Sequence, residues 1–398
     1  MELTARQYRA LCSICDAFLP AAPGWPSAVE RGVPAALAAA LDFNPRVVDR
    51  WEFLNLLDFW DSRLHSFLEV GSFTGFAELP EEDKCRMLLS WADSSIALRR
   101  AAFQALRKAV GFLYVMLPGA AGQVNTVWER IGYPGPIGAQ RPDAPRGLRV
   151  TTPDKEMTLH CDVCLIGSGA GGGVAAAVLA AGGREVIVLE AGGYFDDADF
   201  DGSELKGFQR LYAECGFAST RDHSVGLLAG ECLGGGTVVN YTTSFRTPDD
   251  IRDEWADAGA EWIRGADYTR SLDAVWHRLS VNGNHNRVSR REQMMERGLQ
   301  RLGWHVDAMP RNVVGCEQGR ICGYCGYGCA IGAKQSAVKT WLADALEHGT
   351  KFVVETRAER VRIARGVAVG VEARTKQGHR VVVKCKQVVV ACGAIHTA

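Results

Sequence analysis

Neither sign of charge dominates this sequence of 398 residues. The chain carries 45 Lys and Arg residues against 46 Asp and Glu residues, and its formal net charge is -1. Proteins that hold nucleic acid need a strong positive field along the phosphate backbone. The balance of charges therefore argues against a nucleic-acid partner.

Apolar segments of the kind that lead a chain into or across a membrane are also missing. The first residues, Met1–Tyr8, include Glu2 and Arg6 and show no apolar run behind a basic cluster. We therefore expect no signal peptide and an intracellular location. The longest uncharged apolar stretch, Ala109–Gly122, contains Pro118 and is shorter than the roughly 17–25 residues of a spanning helix. We expect no segment that crosses a membrane.

The N-terminal part of the chain has the apolar periodicity of helices. Leu11, Cys15 and Phe18 recur at the spacing of one helix face, and apolar residues from Leu98 onward form a second stripe. Residues 1–117 are therefore predicted to be a helical domain. Residues 118–155 are dense in Pro and Gly, which predicts a linker between domains.

A different pattern begins at residue 156. A short apolar strand, a helix of small residues and a second strand follow one another, which is the order of a βαβ unit. These segments are Asp162–Ile166, Val174–Ala181 and Glu185–Leu189, and the later predicted strands are Val367–Ala373, Arg380–Lys384 and Gln387–Ala391. Residues 156–398 are thus predicted to form an α/β domain.

A glycine-rich fingerprint lies between the first strand and the helix of this unit. The sequence Gly167-Ser-Gly-Ala-Gly-Gly172 follows the strand, and Glu190 ends the next strand. Gly167 allows a tight turn, Gly169 lets the backbone approach a pyrophosphate at the helix N-terminus, and Gly172 lets helix and strand pack closely. Glu190 would accept a hydrogen bond from a ribose hydroxyl and repel a 2'-phosphate, which disfavours NADP. The motif by itself leaves FAD and NAD open.

Several motifs, in order along the chain, resemble those of the glucose-methanol-choline (GMC) family of FAD oxidoreductases. They are the fingerprint itself, Glu190–Gly193, Gly230–Asn240 and Val388–Thr397. Other segments are similar to the long-chain (fatty) alcohol oxidase branch of that family: Trp128–Tyr133, Ser244–Pro248, Cys322–Cys329, Gly332–Gln335 and Thr340–Asp344. The resemblance covers nearly the whole chain and implies FAD as the cofactor.

The resemblance also implies an architecture. It places an α/β Rossmann-like FAD-binding domain over residues 156–398, with part of an inserted substrate domain at about residues 245–345. The all-helical N-terminal domain precedes it.

A second glycine-rich segment is the implied flavin contact. Gly234, Gly235 and Gly236 leave backbone N–H groups accessible to a flavin or a phosphate. The resemblance implies that this loop lies against the flavin and that Asn240 hydrogen-bonds near its reactive edge, while an Asn that caps a turn is the alternative. The strand at Ala358 would touch adenine. The implied cofactor-binding residues are Gly167, Gly169, Ala170, Gly172, Glu190, Gly234, Gly235, Gly236, Thr237, Asn240, Ala358 and Gly393.

The implied activity is FAD-dependent oxidation of long-chain (fatty) or sterol-like alcohols to aldehydes or ketones, with hydride transfer to the flavin and with oxygen or another electron acceptor. In this family the base is a His that is partnered by a second His or an Asn. Both are expected beyond Ala398, so no catalytic residue is assigned, and the chain is expected to be the inactive N-terminal portion of a longer protein. Two alternatives stay open: an iron-sulfur-containing GMC sugar or polyol dehydrogenase, and an inactive FAD-binding fragment.

The 13 cysteines are expected to be thiols or metal ligands because the chain is expected to be intracellular. Cys322, Cys325 and Cys329 have a spacing that lets thiolates converge on one ion or cluster. The stretch from Cys325 is similar to one that carries an iron-sulfur cluster in glucose dehydrogenase subunits of the same superfamily. The alternative is a tight loop with metal-free thiols, which is slightly favoured because oxygen as the acceptor needs no electron relay.

The helix that starts near Leu98 offers a further hypothesis. It carries four basic residues and continues into the apolar segment Phe112–Leu117. Such a helix would lie at an anionic membrane surface, a peripheral contact that suits water-insoluble substrates. The alternative is that its apolar stripe packs in a helical core.

Overall fold

The computed structural model of this chain describes residues 3–43, 47–119, 125–135, 147–220, 225–285, 288–316 and 323–397. Cys322, one of the three candidate metal ligands, lies outside these ranges. The chain divides into two compact units. The first contains Met1–Gly135 and Glu214–Leu228, and the second contains Pro136–Ala213 and Ala229–Ala398.

Helices build the first unit. They are α1 (Ala5–Phe18), α2 (Val33–Phe43), α3 (Val47–Trp60), α4 (Arg63–Val70), α5 (Glu81–Ala92), α6 (Ala97–Met116) and α7 (Thr126–Ile131). The hydroxyl of Thr4 accepts the N–H of Gln7, and the Gln7 side chain accepts the N–H of Thr4, so a capping box starts α1. Gly71 ends α4 in the left-handed conformation, with φ of 77°.

The apolar stripe of α6 is buried within the first unit. Phe103, Leu106, Val110 and Leu113 are buried, and α6 packs against α1, α2 and α5. This burial agrees with the alternative in which the apolar stripe packs in a helical core. Leu98, at the start of the helix, is exposed. In the described part of the chain, no helix combines the length and the apolar character needed to cross a membrane.

The second unit contains both strands and helices. Its strands are β1 (Val150–Thr151), β2 (Met157–His160), β3 (Val163–Ile166), β4 (Val186–Leu189), β5 (Val281–Asn282), β6 (Arg311–Asn312), β7 (Lys351–Val353), β8 (Thr356–Ala364), β9 (Val367–Thr375), β10 (Arg380–Lys384) and β11 (Gln387–Val390). Its helices are α8 (Ala170–Ala181), α9 (Glu204–Leu211), α10 (Gly236–Val239), α11 (Asp249–Asp257), α12 (Ala266–Arg278), α13 (Arg290–Arg301), α14 (Trp341–Glu347) and α15 (Gly393–His396). The predicted βαβ unit is confirmed as β3, α8 and β4.

Two sheets pack face to face in the second unit. A five-stranded parallel sheet has the order β1-β7-β4-β3-β11, and a four-stranded sheet has the order β2-β10-β9-β8. Successive residues of a strand face opposite sides. Val186 and Val188 therefore face the core formed with α8 and α14, while Ile187 and Leu189 face the core between the two sheets. β5 and β6 form a separate antiparallel pair, which lies with α11, α12 and α13 in the predicted substrate region.

Candidate cofactor site

A tight glycine turn connects β3 to α8. Gly167 has φ of 95°, and a Cβ atom there would lie 2.4 Å from the carbonyl oxygen of Ala391. A Cβ atom on Gly172 would lie 2.0 Å from the carbonyl oxygen of Gly167. Side chains at either position would therefore collide with backbone. The turn needs glycine at these two positions for conformation and for close packing, as the fingerprint predicts.

The N-terminus of α8 forms an open cradle. The N-cap residue is Gly169, which offers no side-chain hydrogen bond to the first turn. A Cβ atom on Gly169 or Gly171 would meet no atom of the described chain within 4 Å, and Ala170 is exposed. The first N–H groups of a helix lack intrahelical partners and attract anions. Uncapped N–H groups beside open space fit the pyrophosphate of the FAD that the family resemblance implies.

Glu190 and Ser168 form a buried hydrogen-bonded pair under this turn. The Glu190 carboxylate accepts the N–H of Ser168 at 3.1 Å, the Ser168 hydroxyl at 2.5 Å and the N–H of Gly192 at 2.9 Å. Burial raises the pKa of Glu190, and these three hydrogen bonds oppose that shift. A carboxylate offers about four acceptor positions, so the pair leaves Glu190 room for a further donor such as a ribose hydroxyl.

Ser168 also links the fingerprint to the second glycine-rich loop. Its hydroxyl oxygen accepts the N–H of Gly234 at 2.9 Å, and its side chain is fully buried. Gly235 has φ of 52°, and a Cβ atom there would lie 3.0 Å from Cα of Gly169. The two predicted cofactor loops are therefore in direct contact. Ser168 was not predicted from the sequence. Its hydroxyl lies between the first two glycines of the fingerprint, whose second strand ends at an acid, and this arrangement could have indicated a hydrogen bond between the two residues.

The side chains that follow the second loop bond within the protein. The Thr237 hydroxyl donates to the carbonyl oxygen of Gly234 at 2.6 Å and accepts the N–H of Ala337 at 3.0 Å. Oδ1 of Asn240 accepts the N–H of Thr242 at 3.2 Å, which is the turn-capping contact that the sequence left open. Thr237 therefore shapes the loop, and Asn240 is exposed at its end.

The remaining predicted contacts lie at strand ends near the turn. The N–H of Thr356, at the start of β8, donates to the backbone carbonyl oxygen of Glu190 at 2.8 Å. Ala358 therefore lies two residues after this contact. The thiol of Cys392 donates to the carbonyl oxygen of Ile166 at 3.5 Å. Gly393 comes next, with φ of 78°. The last motif thus begins beside the fingerprint turn.

The cysteine-rich segment packs against aromatic rings. Gly328 has φ of 93°, and a Cβ atom there would lie 2.2 Å from the ring of Phe200. The Tyr212 hydroxyl donates to the carbonyl oxygen of Gly326 at 2.8 Å. Gly328 therefore serves close packing, and Gly326 supplies a hydrogen-bond acceptor.

Cys325 and Cys329, the two candidate metal ligands that the structure describes, lie in this segment. The buried Cys329 sulfur accepts the N–H of Lys334 at 3.4 Å. Within the described ranges, no group of three or more His, Cys, Asp or Glu side chains is arranged to hold a metal ion. Cys322 lies outside those ranges, so the three-cysteine hypothesis remains a prediction.

Two parts of the chain match known protein families. Residues 208–398 match the family described as GMC oxidoreductase. Residues 5–135 match the family described as Gluconate 2-dehydrogenase subunit 3.

Individual proteins are similar over different parts of the chain. Long-chain-alcohol oxidase FAO4B of Arabidopsis thaliana is 38% identical over 54% of this chain and 29% of its own length. Long-chain-alcohol oxidase FAO4A of the same plant is 27% identical over 93% of this chain and 59% of its own length. The crystal structure of pyridoxine 4-oxidase from Mesorbium loti gives a TM-score of 0.46 at 18% identity, over 60% of this chain and 50% of that one. The chain thus spans less than two thirds of the length of each of these proteins.

Proposed function

We propose that this chain, a member of the GMC oxidoreductase family through residues 208–398, binds FAD and forms the cofactor-binding part of an alcohol-oxidising enzyme. The family predicted from the sequence motifs is confirmed by that match. Bound FAD would supply the redox chemistry by accepting hydride from the carbon that bears the hydroxyl. The observation that carries the proposal is the contact between the fingerprint turn and the Gly234–Gly236 loop beside the open N-terminus of α8.

Each part of the site has a role in this proposal. The N–H groups at the start of α8 would bind the pyrophosphate, since they are uncapped and face open space. Glu190 would accept a hydrogen bond from the adenosine ribose. The backbone of Gly234–Gly236 would lie against the flavin. The Ser168 hydroxyl would hold Glu190 and the glycine loop in fixed positions relative to each other through its two hydrogen bonds.

Release of a yellow chromophore tests cofactor binding. The purified chain is denatured, and the released ligand is expected to absorb near roughly 370 and 450 nm, as oxidised flavin does. A colourless protein that selectively retains NADP would contradict the proposal.

We propose long-chain (fatty) or sterol-like alcohols as substrates and oxygen or another acceptor as the oxidant. Support comes from relatives named long-chain-alcohol oxidase, one of which aligns with 93% of this chain. No residue of this chain is assigned as the catalytic base, and general base catalysis is worth about 10²–10⁴ in rate. Reduction of bound flavin by a long-chain alcohol is therefore followed anaerobically over hours, as a single turnover. Bound flavin that no alcohol reduces would favour an inactive FAD-binding fragment.

A sugar or polyol dehydrogenase is the second candidate. The observation that favours it is the match of residues 5–135 to Gluconate 2-dehydrogenase subunit 3. In the same anaerobic assay, faster bleaching at about 450 nm by gluconate or sorbitol than by a long-chain alcohol would favour this candidate.

We also propose an intracellular location with a peripheral membrane contact. The 13 cysteines suit a reducing compartment. Exposed apolar side chains on and after α4 offer a contact surface: Leu64, Phe67, Leu68 and Phe73. Sedimentation with anionic liposomes tests it, and we expect the double variant Phe67→Ser with Phe73→Ser to stay in the supernatant. Equal sedimentation of the wild-type chain and this variant would contradict the contact.

A further inference from the structure

Lys334 places a buried positive charge between two loops. It is only 2% exposed, and its ammonium group donates to three backbone carbonyl oxygens. The acceptors are Val238 at 2.6 Å, Asn240 at 2.7 Å and Cys325 at 2.7 Å. An ammonium group has three N–H donors, so these carbonyls match its full donor capacity.

Two of these carbonyls lie at the C-terminal end of α10. The last carbonyls of a helix have no intrahelical partner and carry partial negative charge, which favours a cation there. Lys334 supplies that cation to Val238 and Asn240. Because α10 begins at Gly236, the ammonium holds the far end of the short helix that the glycine loop enters.

Segment 334–338 contacts the glycine loop at further points. The Ala337 N–H donates to the Thr237 hydroxyl, and that hydroxyl donates to the carbonyl oxygen of Gly234. A Cβ atom on Gly234 would lie 2.7 Å from a methyl group of Val338. Lys334, Ala337 and Val338, about one hundred positions later in the chain, thus fix the conformation of the loop together with α10.

We propose that Lys334 is a positioning residue for the cofactor. Its ammonium fixes α10, and with it the Gly234–Gly236 loop, in the conformation that receives the flavin, and it ties this loop to the segment at Cys325. The inference rests on the proposed function for the identity of the cofactor. The coupling of the two loops rests on the hydrogen bonds alone.

The test compares Lys334→Met and Lys334→Arg with a matched control, Lys339→Met. Lys339 directly follows segment 334–338, but it pairs with Asp197 and donates to the carbonyl oxygen of Gly332. Hydrogen exchange of each apoprotein, followed by mass spectrometry, reports the mobility of residues 234–240 and 323–329. A titration with FAD, followed by flavin fluorescence and the visible spectrum, reports the affinity and the flavin environment.

We expect Lys334→Met to speed exchange in both segments together, to weaken FAD binding by at least about tenfold and to alter the flavin spectrum. Lys334→Arg keeps the charge but cannot direct one nitrogen at three carbonyls, so we expect an intermediate effect. Lys339→Met should match the wild-type chain in both measurements. If Lys334→Met does not fold, the same comparison is made with Lys334→Arg.

Unchanged exchange in both Lys334 variants would overturn the loop coupling. Wild-type FAD affinity and spectrum in both variants would overturn the positioning role while leaving the proposed function intact. A wild-type chain that binds no FAD would overturn the proposed function together with the cofactor part of this inference. Hydrogen exchange would still decide the coupling in that case.

Discussion

Gly172 has a structural role that a single added methyl group would disturb. A Cβ atom added at Gly172 would lie 2.0 Å from the carbonyl oxygen of Gly167, whereas close carbon–oxygen contacts occur at about 3.3–3.6 Å. The two backbone segments would therefore have to separate by more than about an ångström. Overpacking costs about 1–3 kcal/mol. We expect Gly172→Ala to lower the free energy of unfolding by about 3 kcal/mol, because neither atom belongs to a flexible side chain.

Gly169, in contrast to Gly172, has room for a side chain in the folded chain. A Cβ atom there would meet no described atom within 4 Å, and its φ of -63° suits any residue. We expect the free energy of unfolding of Gly169→Ala to stay within about 0.5 kcal/mol of the wild-type value. FAD affinity should fall by at least about tenfold, because the methyl group occupies the space through which the backbone approaches the pyrophosphate.

Two measurements on each variant separate these effects. Urea unfolding of the apoprotein gives stability, and an FAD titration followed by flavin fluorescence gives affinity. Gly298→Ala is the matched control, since it lies within α13 with open space around it, and it should gain up to about 1 kcal/mol from helix propensity and bind FAD normally. A Gly172→Ala variant as stable as the wild-type chain, or a Gly169→Ala variant that binds FAD as tightly as the wild-type chain, would contradict these roles of the two glycines.

Three further predictions concern neighbouring groups. Ser168→Ala leaves the N–H of Gly234 without its acceptor and removes one of the three donors to the buried Glu190 carboxylate. Urea unfolding should therefore show a loss of about 1–3 kcal/mol, and wild-type stability would contradict the link between the loops. Because burial raises the pKa of Glu190, the folded chain binds the Glu190 proton more tightly than the unfolded chain does. The stabilisation from this group is therefore full below the ordinary pKa of Glu, and it is lost as the pH rises through the raised pKa. Glu190→Gln should lack that decline, and a variant with the wild-type pH slope would count against this assignment. Cys325→Ser should leave FAD content unchanged, and after anaerobic purification neither chain should contain stoichiometric iron; iron that is present in the wild-type chain and lost in Cys325→Ser would favour the dehydrogenase candidate.

Local patterns were enough to predict the elements around the site. The apolar strand, the glycines and the second strand lie within one short stretch, so their order predicted β3, α8 and β4. The structure starts α8 at Ala170, earlier than the small-residue periodicity at Val174 indicated. The difference arises because the glycines of the fingerprint form the first turn of the helix and contribute no apolar pattern.

Contacts between distant segments could not be predicted in the same way. Ser168 bonds to Gly234 across 66 residues, and Lys334 bonds to Val238 across 96 residues. A lysine in a polar segment usually indicates a solvent-exposed side chain, and nothing local signals that three carbonyls will surround its ammonium group. Asn240 stayed ambiguous for a related reason, since an Asn that caps a turn and an Asn that binds a ligand have the same local sequence.

The strand order of the parallel sheet gives a reason for the site that is independent of any motif. β3 has β4 on one side and β11 on the other, so the order of strands along the chain reverses next to β3. In open parallel sheets a crevice forms at such a point, outside the carboxyl ends of the strands. The turn after β3 and the segment after β11 both leave the sheet at this edge, and a Cβ atom on Gly167 would lie 2.4 Å from the carbonyl oxygen of Ala391. The two motifs are linked by the hydrogen bond from the Cys392 thiol to the Ile166 carbonyl, 226 residues apart. They therefore meet because of the topology of the sheet, and a ligand at the first motif would lie beside the second.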